Sequence, residues 1–467
     1  MFYEAEAEYA EDGLLEPDAI YGEDRFAEVV KRDGWLAALL LFSLIFGPRT
    51  AARALLPPMR FSDIIIFYLV LSRWLKSNRL YGGFVFSYRN RLFGWFMIVM
   101  AFLLLFSTAI NITAGRYQFF IKDFYQPIVF IRMIFIAAIM ASFYFGEKQV
   151  KQFTVGILII SLMSVILAFI QRFGYWYVSG FVERFYAVEW TTLEKIRIGT
   201  RVVGTFGNPN YFGLCLVMLA AVSLAVAINM KGLMKVLAAV TFVSLGAAVL
   251  ITTASRTALI AFLMITAVSL LLSLRGRAVI PVILLAILMI GIFIFVRAYA
   301  DILPLHPRVK FIIGSGEQKS ISSILHARYL LWEKSVREAK ESIIFGVGMS
   351  KLGWQLTDNG YIIMLLRAGI VGLCVYLLML LSLFIRGLKA LHIEKRPFQR
   401  TVLLTSFVVL INHMIFELTG DFFWSVQYSA IFAAFMGLLC GMSNQLRLER
   451  RYGEYDDFRA AGEQESY

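Results

Sequence analysis

Long apolar blocks constrain this chain more than any other feature. Residues 92–112 contain no ionisable side chain. About 20 apolar residues in helical form cross the hydrocarbon core of a bilayer. Lipid offers no hydrogen bonds to the backbone, so such a block must be a helix. Similar blocks lie near 34–54, 61–76, 126–146, 152–171, 209–229, 233–254, 256–274, 278–297, 360–385, 401–418 and 424–443. The expected fold is all-α: a polytopic membrane bundle of about 12 transmembrane helices. Composition agrees, with 59% hydrophobic and 16% charged residues and a mean hydropathy of +0.72. Soluble domains run nearer 45–50% and about 25%. A soluble enzyme is excluded.

Charge sets the expected orientation. The short segments 73–91, 275–277 and 386–400 are basic, as is the tail around Arg447, Arg450 and Arg451. If about twelve spans alternate, all of these share the face of the amino terminus, which is then cytoplasmic. Arg49, Arg53 and Arg60 fall on the other face and run against this bias. The amino end is acidic through Asp24 and lacks a basic region and cleavage site, so insertion is expected through the first membrane helix. The net charge of +13 reads as basic loops against anionic lipid. No soluble basic module is present to bind nucleic acid.

The domain reading is a polar cytoplasmic tail at 1–30, a transmembrane bundle at 31–446 and a second polar tail at 447–467. Two outward loops are long, at 172–208 and 298–359. The second carries Leu325, Tyr329, Trp332, Val336, Ala339 and Ile343 at spacings of four and three, one face of an amphipathic helix. Cys215, Cys374 and Cys440 all fall in apolar blocks and read as small core residues without a disulfide framework.

Four polar stretches stand where burial makes them expensive. Arg256 lies between two apolar runs, in a tight hairpin with Thr252, Thr253, Ala254 and Ser255. An arginine snorkelling to lipid phosphate would also fit there. In 204–213, Asn208 is placed as a helix N-cap and Pro209 as the first helical residue, with Asn210 following and Arg201 just upstream. A helix start flanked by arginine favours an anionic ligand. Arg328 sits at the edge of the amphipathic stripe, and Gly346 and Gly348 stop that helix. Asp358 and Asn359 precede the block at 360–385, where Asp358 reads as a cap, or as a base on a hydroxyl. Asn412, His413, Glu417 and Asp421 form a lesser polar group near the end of a late span.

In order and spacing, these stretches resemble the O-antigen ligase/polymerase family of bacterial surface-polysaccharide assembly. Residues 201–213 look like its Arg–Gly–Thr–Phe–x–Asn–Pro–Asn segment, and 253–258 like its Thr–x–Ser–Arg–x–Ala turn. Arg328–x3–Trp332 with Gly346–x–Gly348 looks like its loop helix, and 358–372 like its closing His–Asn or Asp–Asn pair before a Gly–x–x–Gly helix.

The resemblance implies a GT-C membrane glycosyltransferase of the bacterial inner membrane, working on the outer face without metal or cofactor. Its donor and acceptor are saccharides on undecaprenyl pyrophosphate, and a flippase and a chain-length regulator are implied partners. Arg201, Arg256 and Arg328 match family arginines that would stabilise the leaving diphosphate. Asn208, Asn210 and Asn359 would help bind substrate. Asp358 stands where the ligases carry histidine, which favours the polymerase branch. Ligase-type transfer of finished polymer is the near alternative. A flippase for lipid-linked oligosaccharide is the alternative from another class, and would favour midplane charges and related halves.

Overall fold

A computed structural model of the protein describes residues 31–48, 60–78, 91–115, 125–173, 176–186, 201–273, 321–349 and 357–464. Among these, the first helices are α1 (Asp33–Phe46), α2 (Phe61–Asn78), α3 (Arg91–Thr113) and α4 (Tyr125–Ser142). Then come α5 (Glu147–Arg172), the short α6 (Trp176–Tyr186), α7 (Pro209–Asn229), α8 (Gly232–Ala248) and α9 (Arg256–Ser273). The last are α10 (Ile321–Ala339), α11 (Gly360–Ile393), α12 (Pro397–Phe416) and α13 (Val426–Gln464). The fold is an all-helical membrane bundle. Eight described helices are long and apolar enough to cross a bilayer, and α1, α2 and α4 are shorter apolar helices. The span expected at 278–297, the basic turn 275–277, the tail 1–30 and much of both long loops lie outside the described residues.

Boundaries moved for local reasons. α1 stops at Phe46 instead of continuing to residue 54, because Gly47 turns to extended backbone and Pro48 has no N–H to extend the helix. α5 begins earlier than expected, with Lys151 and Glu147 paired at 2.7 Å along its first turns. α12 uses Pro397 as its first residue, where a missing N–H costs nothing. α13 continues through Gln464, so most of the segment read as a loose polar tail is helical; no proline interrupts it. α6, within the first long loop, is an eleven-residue helix that the apolar pattern did not announce. Cys215 and Cys440 are buried and free, but Cys374 is exposed, a correction to its reading as a core residue.

Burial separates the core of the bundle from its rim. α7 and α13 bury 83% and 89% of their apolar windows, whereas α8, α9 and α11 bury 39%. On α8, Leu233, Val236, Val240 and Val243 are left exposed, as befits helices whose surroundings are hydrocarbon. α13 lies tightly on α4: a Cβ on Gly437 or Gly441 would collide with the backbone of Ala137 or Ala141. Two small residues four apart on each helix let the backbones approach, which replaces the hydrophobic drive that lipid removes.

The two ends of the bundle differ. At one end, Arg400 donates to Leu391 O at 2.9 Å, Glu394 O at 3.1 Å and Leu272 O at 3.0 Å. One guanidinium thereby caps the carboxyl ends of α9 and α11, where the helix dipole favours a cation. Residues 33 and 445 reach the α4–α5 turn at this same end, through Tyr144 N to Asp33 Oδ2 and Phe145 N to Gln445 Oε1. The candidate residues gather at the other.

Candidate functional site

The first group is built where α7 and α9 begin. Asn208 is the N-cap of α7, its side chain accepting from Asn210 N at 2.9 Å, with Pro209 as the first helical residue. Arg201 donates through Nε to Thr253 O at 2.9 Å and through a terminal nitrogen to Asn210 Oδ1 at 2.9 Å. A backbone bond from Val202 N to Thr252 O at 3.0 Å reinforces this clasp. Thr253 closes a π turn, Val249–Thr253, that ends α8. Ala254 then takes a left-handed conformation at φ 48°, uncommon for a residue with a Cβ, and Ser255 Oγ accepts from Ala258 N at 3.2 Å. This reversal makes Arg256 the first residue of α9, half-buried, beside the segment that Arg201 holds. Gly213 on α7 faces Ala258, Thr253 and Ser255 so closely that a Cβ there would lie 2.7 Å from the Ala258 Cβ.

The second group is built where α11 begins. Asn359, not Asp358, is the cap: its Oδ1 accepts from Ile362 N at 3.1 Å and its Nδ2 donates to Leu418 O at 3.2 Å. Asp358 turns instead toward α10. One of its oxygens lies 3.0 Å from Arg328 Nε, and the other accepts from Trp332 Nε1 at 3.0 Å. Arg328 and Trp332 are four apart, one turn of α10, so a single helix face delivers both donors. The capping role expected of Asp358 thus belongs to its neighbour, which frees the carboxylate for α10.

The α10 end is fixed by a break in α11. Gly369 adopts φ 68° and ψ −168°, a conformation essentially confined to glycine. The freed carbonyls of Leu366 and Arg367 accept from Val347 N at 2.7 Å and Gly348 N at 3.0 Å. The freed amides of Ile370 and Val371 donate to Ile343 O at 2.9 Å and Ile344 O at 3.2 Å. The segment after α10 therefore supplies partners to these four groups inside the protein, as a broken membrane helix requires. α3 holds the same segment from its other side, with Ser107 Oγ and Asn111 Nδ2 donating to Gly346 O at 2.8 and 3.0 Å.

The two groups are tied through one connection, 417–425, between α12 and α13. Tyr211 on α7 donates to Asp421 Oδ1 at 2.8 Å, while Gly360 N donates to Glu417 O at 2.7 Å. On the same connection, Trp424 presents its ring 4.4 Å from the guanidinium of Arg367, which is buried. Cation–π contact of this kind helps a buried arginine that sits two turns inside a helix. Trp332 in the loop helix and Arg367 within 358–372 carry no assigned role in the sequence pattern alone, and Glu417 and Asp421 belong there to a lesser polar group. The signal for Trp332 was its position four residues beyond Arg328. For Arg367 it was an arginine inside an apolar span.

Residues 240–377 match the family model described as O-Antigen ligase. That stretch includes Arg256, Arg328, Trp332, Asp358, Asn359 and the Gly369 break, and it leaves Arg201, Asn208, Asn210 and the 417–425 connection outside. No curated protein matches the chain.

Proposed function

We propose, from the premise that this chain belongs to the O-antigen ligase/polymerase family, that it polymerises undecaprenyl-pyrophosphate-linked oligosaccharide repeat units into O-antigen, capsule or exopolysaccharide. The family supports the coarser statement by itself: a membrane enzyme of glycosyl transfer in polysaccharide assembly, using lipid-linked saccharides. On this reading the site faces outward from the bacterial cytoplasmic membrane and both termini are cytoplasmic. The donor and acceptor are both lipid-linked.

In the reaction, an acceptor hydroxyl oxygen bonds to the anomeric carbon of the donor sugar. The bond from that carbon to the diphosphate breaks, its electron pair leaves with the lipid diphosphate, and the hydroxyl proton passes to a base. Charge grows on the leaving diphosphate, so guanidinium groups fixed at or against the starts of α7, α9 and α11 lower the barrier without reorganising. Arg201, Arg256 and Arg328 take that role, with Asn208, Asn210 and Asn359 shaping the helix starts around the substrate.

The observation that carries the reading is the pair between Arg328 and Asp358. Their side chains are 37% and 35% exposed, and a pair so open to solvent contributes only about 0.2–1 kcal/mol. A diphosphate carries more charge than one carboxylate, so it can take Arg328 from Asp358. That exchange places the guanidinium on the leaving group and releases a carboxylate oxygen to accept the hydroxyl proton. One event prepares both halves of the reaction. Asp358 in place of the ligases' histidine favours polymerisation over transfer of a finished polymer.

The test is to incubate purified full-length chain with lipid-linked repeat units. A ladder of lengths supports polymerisation. One shifted band that needs an added acceptor indicates ligase chemistry, and unchanged substrate with either acceptor defeats the transferase reading.

A further inference from the structure

The connection 417–425 lies outside the residues matched by the family model, yet it holds both halves of the candidate site. Its anchor is Glu417, which is completely buried. Glu417 O accepts from Gly360 N at 2.7 Å, and Glu417 Oε1 accepts from Phe423 N at 2.8 Å. The side chain therefore folds the connection back on itself while the backbone docks the start of α11. The fit is close: a Cβ on Gly360 would collide with the Glu417 carboxyl and come within 3.1 Å of Gly420 O. The neighbouring carbonyl, Leu418 O, accepts from Asn359 Nδ2 at 3.2 Å. Asp421, further along, holds Tyr211 on α7, and Phe423 and Trp424 pack on Phe130 of α4 at 5.4 and 5.8 Å between centroids.

We infer that Glu417 is a positioning residue for Asp358: it fixes the height and direction from which the first residues of α11 present that carboxylate to Arg328 and Trp332. It does so through shape and hydrogen bonds. His413 Nδ1 lies 3.7 Å from Oε1, at the edge of ion-pair distance, so the closest polar contact of that oxygen is the Phe423 amide. The inference rests on the proposed transferase reaction for its kinetic expression. Its structural part is independent of that reaction.

The test uses full-length chain in lipid nanodiscs with lipid-linked repeat units as substrate. E417A should lower kcat by ~10- to 100-fold, the effect of a misplacement near 1 Å, with KM for the donor changed by less than ~3-fold. E417Q keeps the shape and the acceptor for Phe423 N, and should stay within ~3-fold of the parent rate. The deciding arm is a cycle with D358N. If Glu417 acts through Asp358, E417A costs less than ~3-fold more in the D358N background. A general loss of folded protein would cost the same factor in both backgrounds, and that result overturns the inference, as does an E417A rate equal to the parent's. Where E417A does not insert, E417D replaces it, since the shorter carboxyl no longer reaches Phe423 N. If the parent chain transfers nothing, the proposed function fails, and amide exchange decides the positioning alone. Faster exchange over 357–366 in E417A upholds it, and unchanged protection overturns it.

Discussion

Replacing Gly369 by alanine tests the account of the broken helix most directly. The perturbation is one methyl group at a backbone conformation that L-residues essentially do not adopt, for about 1–3 kcal/mol of strain. A Cβ there would also run into Ile344 O and lie 2.6 Å from Gly346 N, both backbone atoms with no rotamer to relieve them. The chain can escape by making α11 continuous, but Ile370 and Val371 must then leave Ile343 O and Ile344 O for carbonyls in their own helix. All four cross-bonds between 343–348 and 366–371 are at stake, each contributing about 0.5–1.5 kcal/mol net. Losing even two of them, with the strain, weakens the local structure by about 2–6 kcal/mol. Since 1.4 kcal/mol is tenfold, the amides of Val347 and Gly348 should exchange at least ~30-fold faster in G369A. Protection in α7 and α13, outside the 343–348 and 366–371 cross-bonds, should stay as in the parent chain. Because 343–348 carries the end of α10, the Arg328–Asp358 contact should loosen and transfer should fall with it. Equal protection at Val347 and Gly348 in G369A and parent would refute the reasoning, whatever the activity.

Three further substitutions separate the roles proposed for the site. R256A should abolish polymer formation while the protein still inserts; full-length polymer on a gel, from cells lacking the parental copy, removes Arg256 from the reaction. R201K keeps the charge but cannot span Thr253 O and Asn210 Oδ1 together, so transfer should fall by ~10-fold in initial-rate assays; an unchanged rate would mean that charge alone is needed. D358N loses the proton acceptor and turns an N–H toward Arg328. Transfer should drop by at least ~100-fold, and a residual rate above about a tenth of the parent's shows that Asp358 is not the base.

Sequence patterning reached most of the fold because lipid leaves so few options. A run without charge must be a helix, and its length is set by the bilayer. The Asn208–Pro209 start of α7 was legible because capping chemistry is local. What escaped was whatever depends on contacts distant in sequence. Nothing in 360–385 marks Gly369 as a break rather than a tolerated glycine, since its cause lies in the amides of Val347 and Gly348. The choice between Asp358 and Asn359 as cap was likewise undecidable locally: both residues cap well, and only Arg328 and Trp332, 30 and 26 positions upstream, draw the aspartate away. Glu417 looked like a polar residue at the end of a span. Its importance appears only once Gly360, far away in sequence, is found against its carboxyl.

The interruption at Gly369 also bears on how deep the site sits. It divides α11 into a first stub, 360–368, roughly 14 Å long, and a shaft, 370–393, of roughly 36 Å. The shaft alone is long enough to traverse the hydrocarbon layer, so the stub is surplus to the crossing. Asp358 and Asn359 therefore lead into a piece of helix that is free of the length the bilayer demands, and it is pinned instead by its bonds to 343–348 and to Glu417.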